Sequence, residues 1–180
     1  MKIRILAILF IFLLTSLSLI AQEPKTDTLP VYKTQPYAVP NTDIEITPPA
    51  HFKYVDAIKG FVHVGTSASI TIEEIENISY LQITQGLTPE YFAGQNATLI
   101  SSEDVKTLSG MDEKLYILGF TTTSNDTSRK VLHYERMMLF TGDYQHTIWV
   151  SANYPELLKK VLYFVLKESL LTVHFKENND

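Results

Sequence analysis

Histidine residues are the first candidates for a functional site, because an imidazole can act either as a metal ligand or as a general base. No two histidines lie three or four residues apart, the spacing that places two zinc ligands on one helix face. The sequence contains no cysteine, which excludes thiolate metal sites, cysteine nucleophiles and disulfides. The histidines are His51, His63, His133, His146 and His174. We interpret each as a surface or packing residue and predict no metal site.

Serine and carboxylate chemistry each have one candidate. The stretch GTSAS, residues 65–69, approaches the Gly-x-Ser-x-Gly elbow of serine hydrolases but lacks its second glycine. Glu73, Glu74 and Glu76 form an acidic group, yet Glu73 and Glu74 would point to opposite faces of a strand. The seven glycines are scattered singly, so no phosphate loop or dinucleotide fingerprint occurs. We therefore predict no catalytic residue and no cofactor.

Aromatic residues suggest two binding surfaces. Trp149, together with Tyr144, Ile148 and Val150, forms either a recognition surface or, in the interpretation we favour, core beneath a helix at 155–169. A small ligand would instead use a cleft between the sheet and helices within 77–95. The side chains expected to contribute to that cleft are Tyr80, Tyr91 and Phe92. No ligand-binding residue is assigned beyond these candidates.

The chain begins with a segment typical of export. Lys2 and Arg4 precede an uncharged, mainly apolar run of 17 residues, Ile5 to Ala21, which indicates a secretory signal peptide over 1–21. Cleavage after Ala21 is the first choice and cleavage after Ser18 the second. Retention of the segment as a membrane anchor is the remaining alternative. No cysteine follows the run, which argues against a lipid-anchored lipoprotein.

Residues 22–41 contain four prolines and no apolar period, and we predict a semi-extended linker. Without Lys2 and Arg4 the chain has 13 basic and 20 acidic residues, a net charge of −7. A chain of that sign does not attract phosphate backbones or anionic lipid. We therefore expect no nucleic-acid partner, and contact with a membrane only if the amino-terminal segment is retained.

One domain is predicted over 42–176, followed by a polar tail at 177–180. Its opening stretch, ITPPAHFKY at 46–54, reads as a corner in which Phe52 anchors the core; a pocket role for His51 is the alternative. Thr88, Pro89 and Glu90 mark a helix start. Two apolar runs flank a hairpin turn at 141–143, with His146 expected opposite Leu139. Helical spacing near the end predicts an amphipathic helix with one apolar face: Leu157, Leu158, Val161, Leu162, Val165 and Leu166.

These elements together predict an α+β fold, a mainly antiparallel β-sheet covered by helices, with a long amphipathic helix near the C-terminus. Strands follow one another in hairpin order, and short helices interrupt them in the middle of the chain. No internal repeat and no second domain is evident.

The order of local motifs resembles the PsbP-like superfamily, in particular its DcrB-like branch of exported bacterial proteins of unknown function. The motifs, in order, are PPAHF, ASITIEE, LTPE, LSG, TIWVSANYP and SLLTV, within about 41–175. The resemblance implies an antiparallel sheet sandwiched by helices. It also implies an accessory or binding role, as for the extrinsic photosystem II protein of plants, a Ran-binding factor of yeast and an envelope lipoprotein of bacteria. The matching positions are turn and core residues, so no functional residue carries over.

We therefore expect a periplasmic or secreted, non-enzymatic protein that assists or binds another envelope component. A small-ligand-binding protein using the cleft between sheet and helices is the alternative. A serine-type hydrolase is the third possibility, and it would need a Ser/His/Asp geometry that sequence does not reveal.

Overall fold

The computed structural model describes residues 34–124, 127 and 129–176. The predicted signal peptide at 1–21, most of the predicted linker and the tail at 177–180 lie outside these residues. The strands are β1 (Tyr37–Ala38), β2 (Ile44–Ile46), β3 (Lys53–Val55), β4 (Gly60–His63), β5 (Ala68–Glu76), β6 (Ala97–Lys106), β7 (Asp112–Thr123), β8 (Val131–Gly142), β9 (His146–Pro155) and β10 (His174–Phe175). The helices are α1 (Tyr80–Gln85), α2 (Pro89–Gly94) and α3 (Lys159–Leu170), with 3₁₀ turns at Asp56–Ile58 and Glu156–Leu158.

The strands form two antiparallel sheets. Seven strands in the order β3-β4-β5-β9-β8-β7-β6 make the large sheet, and β1-β2-β10 make the small one. The α+β fold with an antiparallel sheet and a helix near the C-terminus is confirmed.

Alternation along the central strands separates two cores, because successive side chains point to opposite faces of a sheet. In β8, Met137 and Leu139 belong to the larger core, whereas Met138 and Phe140 belong to a second cluster. Helix α3 packs Leu162, Leu166 and Leu170 into the larger core. Phe92 of α2 packs into the second cluster. Helices therefore cover both faces, and the second cluster lies at the base of the candidate site.

Hydrogen bonds join the small sheet to the end of α3. The Ser169 hydroxyl donates to the Thr47 carbonyl at 2.7 Å, and the Thr47 N–H donates to Thr172 Oγ1 at 2.7 Å. Strand β10 pairs with β2, aligning His174 with Glu45 and Phe175 with Ile44. The first and last described elements are thus held together across more than 120 residues of sequence.

The predicted linker runs too far. It was expected to extend to residue 41, but Tyr37–Ala38 form β1, paired with β2, and Val39 is buried. The Tyr37 ring lies 5.1 Å from the ring of Tyr54 and 5.1 Å from that of Phe61, measured between centroids. The sequence did not indicate this strand, because a strand of two residues is too short to show an alternation of apolar and polar residues, and the prolines around it suggested a linker.

The hairpin turn predicted at 141–143 lies about two residues further along the chain, because Thr141 and Gly142 belong to β8 and the chain reverses at Tyr144 and Gln145. Gly142 pairs with Thr147 and Leu139 pairs with Val150, so the register prediction for His146 is also wrong. The side chain of Asp143 holds that turn by accepting hydrogen bonds from the backbone N–H groups of Gln145 and His146, both at 2.7 Å. The β8 residue Gly142 has φ +136°, a value that strains other residues.

The predicted apolar face of the last helix is only partly buried. Leu162 and Leu166 lie in the core, as expected. Leu157, Val161 and Val165 are 92%, 67% and 44% exposed, because they lie on the side of the helix away from the sheet. Two adjacent apolar stripes run along this helix, one buried and one exposed, and the sequence pattern alone does not distinguish them.

The corner at 46–54 is present. Phe52 packs partly buried against the larger core, as predicted. His51 occupies an exposed turn with φ +66°, and its ring lies 6.3 Å from that of His63.

Strand β6 forms one edge of the large sheet. Its ladder with β7 is interrupted by a bulge between Leu99 and Ser101. Exposed and half-buried side chains follow the bulge, including Glu103 and Asp104, and no residue of this strand is fully buried.

Candidate functional site

Two short helices cover one face of the large sheet, and their ends are fixed by local sequence. Ser79 and Gln82 form a capping box at the start of α1, each side chain accepting a backbone N–H of the other residue. Thr88 accepts the N–H of Tyr91 at 3.2 Å at the start of α2, and Pro89 takes the first helical position. The helix start predicted at 88–90 is thus present. The two caps hold α1 and α2 over the second hydrophobic cluster.

A cavity of about 460 Å³ lies between α2 and the sheet. This size falls in the range of small-molecule sites. Its walls combine aromatic and aliphatic side chains with a single cation: Tyr91, Phe92, Phe120, Met138, Trp149 and Arg136. We call this cavity the sheet–helix cleft.

Arg136 is the charged residue of the sheet–helix cleft. Its Nε–H donates to Asn153 Oδ1 at 2.6 Å, and its Cζ lies 5.0 Å from the centroid of the Phe120 ring. Burial lowers the pKa of the Arg136 guanidinium. No carboxylate in the part of the chain that the structure describes forms an ion pair with it. The cation is half-buried and has no counter-charge, an arrangement that costs free energy.

Trp149 supplies a second unsatisfied group. Its ring stacks on Phe140, with 5.6 Å between centroids and 15° between planes. Its indole Nε1 is buried and has no hydrogen-bond partner among the described residues. A buried indole N–H usually has an acceptor.

The interpretation of Trp149 as core beneath the last helix is therefore only half right. Ile148 and Val150 are fully buried on the face covered by α3, but Trp149 alternates to the opposite face, beneath α2. Tyr144 is 88% exposed in the hairpin turn. Period-two alternation would have separated these residues.

Two of the three residues expected in a ligand cleft reach it. Tyr91 and Phe92 line the sheet–helix cleft, but Tyr80 lines a separate cavity of about 350 Å³ beside Asp112 and Asp143. Sequence reasoning missed Arg136, which lies among apolar strand residues. A lone arginine on the inward face of a strand is a signal that could have found it.

The histidines are dispersed. His146 Nδ1 lies 3.5 Å from Asp143 Oδ2, and His174 Nε2 lies 3.7 Å from Glu45 Oε1. Within residues 34–124, 127 and 129–176, no three histidine, aspartate or glutamate side chains converge in a way that could hold a metal ion.

The serine and glutamate candidates also stay apart. In the described residues neither Ser67 nor Ser69 has a side-chain hydrogen bond to a histidine. Glu74 Oε2 accepts the backbone N–H of Asp43 at 3.4 Å, whereas Glu73 is exposed.

Glu113 is a buried acid on the face covered by α3. It is 2% exposed, and neither carboxyl oxygen has a hydrogen-bond partner in the described part of the chain. Burial raises the pKa of Glu113 to about 8. Glu135 contrasts with it, because Glu135 accepts hydrogen bonds from Tyr154 Oη at 2.6 Å and Lys159 Nζ at 2.7 Å.

No model of a known protein family matches the sequence, and no curated protein matches it. A solved structure of cyanobacterial PsbP (CyanoP) from Synechocystis sp. PCC 6803 is similar, with 12% identity and a TM-score of 0.52. The match covers 82% of this chain and 95% of that one. The PsbP-like fold is thereby confirmed; the DcrB-like branch stays a prediction.

Two further structures share parts of the arrangement. A crystal structure from Bacteroides thetaiotaomicron VPI-5482 is 14% identical with a TM-score of 0.47; the match covers 76% of this chain and 46% of that one. LpqN of Mycobacterium tuberculosis, described as involved in cell envelope biogenesis, is 12% identical with a TM-score of 0.46 over 81% of this chain and 86% of that one. This chain spans less than half the length of the Bacteroides protein.

Among the described residues, no helix is long and apolar enough to cross a membrane.

Proposed function

We propose that this protein is an exported, non-enzymatic accessory or binding protein of the cell envelope, and that it holds a small ligand in the sheet–helix cleft. The observation that carries the proposal is a cavity of about 460 Å³ whose mainly apolar wall, which includes Trp149, holds one arginine that forms no ion pair among the described residues. Apolar walls with few polar groups are typical of ligand sites. The amino-terminal sequence supports export, to the periplasm or to the outside of the cell.

A thermal-shift screen tests this function on protein purified from its own host in the exported form. The amino terminus of that form, Gln22, Leu19 or Met1, identifies which processing alternative holds. We expect at least one compound of a metabolite library to raise Tm saturably, because ligands that bind only the folded state stabilise it.

A cleft-filling variant and a matched control locate the binding. Ala97 lines the cleft at the start of β6, so Ala97→Phe should abolish the ligand-dependent shift. Ser102→Phe changes an exposed residue of the same strand and should leave the shift intact. A library that stabilises neither the wild type nor the control would refute ligand binding in the cleft.

The second candidate function is docking of another envelope protein. Four exposed apolar residues follow one line along the outer side of the last helix and the turn before it, and we call them the outer stripe: Leu157, Val161, Phe164 and Val165. Contiguous exposed apolar surface of this kind marks interaction sites. We propose an apolar helix or groove of an envelope protein as its occupant, and cross-linking in intact cells from position 160, an exposed position one helical turn before Phe164, tests it.

A further inference from the structure

The sheet–helix cleft carries one positive charge and no acidic wall. Its lining residues include no aspartate or glutamate, although the full chain has a net charge of −5. The other polar side chains of the lining are neutral: Tyr91, Gln95, Asn96, Thr121 and Trp149. The local charge of the cleft is therefore opposite to that of the whole chain, which favours an anionic ligand.

The guanidinium group of Arg136 is held in an orientation that suits a planar acceptor. The bond from Nε to Asn153 and the contact with the Phe120 ring both restrict the guanidinium plane. The N–H groups on the two Nη atoms have no protein acceptor in the described part of the chain. Two parallel N–H groups at fixed spacing match the two oxygens of a carboxylate.

The charge and the walls limit the ligand further. One guanidinium neutralises a single negative charge, so a monoanion fits better than a phosphate dianion, which would leave a buried charge unpaired. Phe92, Met138 and Trp149 offer apolar and aromatic surface to the rest of the ligand.

We propose that the cleft binds a small organic monocarboxylate with a flat, apolar body, whose carboxylate pairs with Arg136 and whose body stacks among Phe92, Phe120 and Trp149. This inference rests on the proposed function, because it names the class of ligand for the same cleft.

Trp149 provides a direct readout, because it is the single tryptophan of the sequence and it lines the cleft. The probes are benzoate, phenylacetate and indole-3-acetate, each compared with its neutral amide. Trp149 emission reports binding of the phenyl probes, and calorimetry reports the indole pair. We expect saturable binding of at least one acid, with its amide at least about tenfold weaker, because a charge-assisted bidentate pair is lost.

Substitutions of Arg136 distinguish the contribution of its paired N–H groups, the guanidinium fork, from the contribution of its charge. Arg136→Lys keeps the charge but loses the fork, and Arg136→Met loses both, so both should weaken the acid at least about tenfold and leave the amide unchanged. Lys130→Met removes one exposed cation outside the cleft and should change neither affinity. Unchanged binding of the amide also shows that the Arg136 variants are folded.

The alternatives give distinct results. Equal binding of acid and amide, or acid binding that survives Arg136→Met, would overturn the carboxylate assignment while the cleft remained a ligand site. Binding of phosphate or sulfate monoesters in place of carboxylates would overturn it as well. If no probe binds and no library compound raises Tm, the ligand class and the proposed function both fail.

Discussion

Individual side chains in this protein differ sharply in how well their polar atoms are satisfied. Glu135 is buried with two hydrogen-bond donors, whereas Glu113 is buried with none in the described residues. Trp149 Nε1 resembles Glu113 in this respect, and Arg136 has one hydrogen bond but no ion pair among the described residues; both of these residues line the cleft, whereas Glu113 does not. An unsatisfied group beside a cavity can be relieved by a ligand, whereas one inside the core costs stability permanently.

Glu113 should make the protein less stable as pH rises. Burial raises the pKa of Glu113 to about 8, against an ordinary value of 4.5, so the folded state holds a proton that the unfolded state releases between these values. The free energy of unfolding should therefore fall as pH rises from about 4.5 to about 8. Below about 4.5 both states are protonated and the effect vanishes.

Glu113→Gln should remove this fall, because the amide carries no charge at any pH. In urea unfolding, we expect the variant to be at least about 2 kcal/mol more stable than wild type at pH 8.5, relative to their difference at pH 4.5. Glu73→Gln, at an exposed position of β5, serves as the control and should show no such pH dependence. Parallel pH profiles for wild type and Glu113→Gln would contradict the expectation.

At the scale of elements, the β8–β9 hairpin joins the middle strand of the large sheet, β9, to its neighbour β8. A Cβ atom on Gly142 would lie 2.1 Å from the carbonyl oxygen of His146, and the φ of +136° is itself unfavourable for other residues. The hairpin therefore depends on glycine at this position.

Gly142→Ala should lower the free energy of unfolding by at least about 2 kcal/mol, measured by urea titration. Gly94→Ala is the matched control, because a Cβ at the end of α2 would meet no atom within 4 Å. That substitution should be neutral or stabilising by up to about 1 kcal/mol. Equal losses for the two variants would show that the hairpin does not require its glycine.

Elements with strong local signals were predictable from sequence, and those specified by tertiary contacts were not. Thr88 and Pro89 indicate the start of α2, and the apolar residues Ala68, Ile70 and Ile72, which alternate with polar ones, are typical of a strand and lie in β5. Strand β1 could not be predicted, because it has only two residues and is defined by its pairing with β2. The cleft was anticipated between sheet and helices, but Arg136 was not, because its role depends on burial and on the absence of a nearby carboxylate.

At the scale of the whole molecule, the outer stripe leaves large apolar side chains in water. Phe164 is 70% exposed and Leu157 is 92% exposed. Leu166, on the opposite side of α3, is fully buried. The helix is thus apolar on two sides, and only one of them is used by the described fold.

Phe164→Ser should therefore change Tm little, because the side chain contributes little to the core, but it should abolish cross-linking to an envelope partner. Val64→Ser, which changes an even more exposed apolar residue between β4 and β5, is the control and should leave the cross-link in place. Loss of the cross-link in both variants, or in neither, would refute docking through the outer stripe. Cross-links between two copies of this chain would instead identify a homodimer.

The bulged edge strand β6 has a consequence for how the protein behaves in a crowded compartment. Unpaired N–H and C=O groups on a flat edge recruit further strands, and this is how sheets grow into fibrils. The bulge at 99–101 breaks the regular spacing of those groups, and the edge carries the charged side chains of Glu103 and Asp104, which form ion pairs with Lys167 and Lys114. Both features oppose the addition of a further strand to this edge.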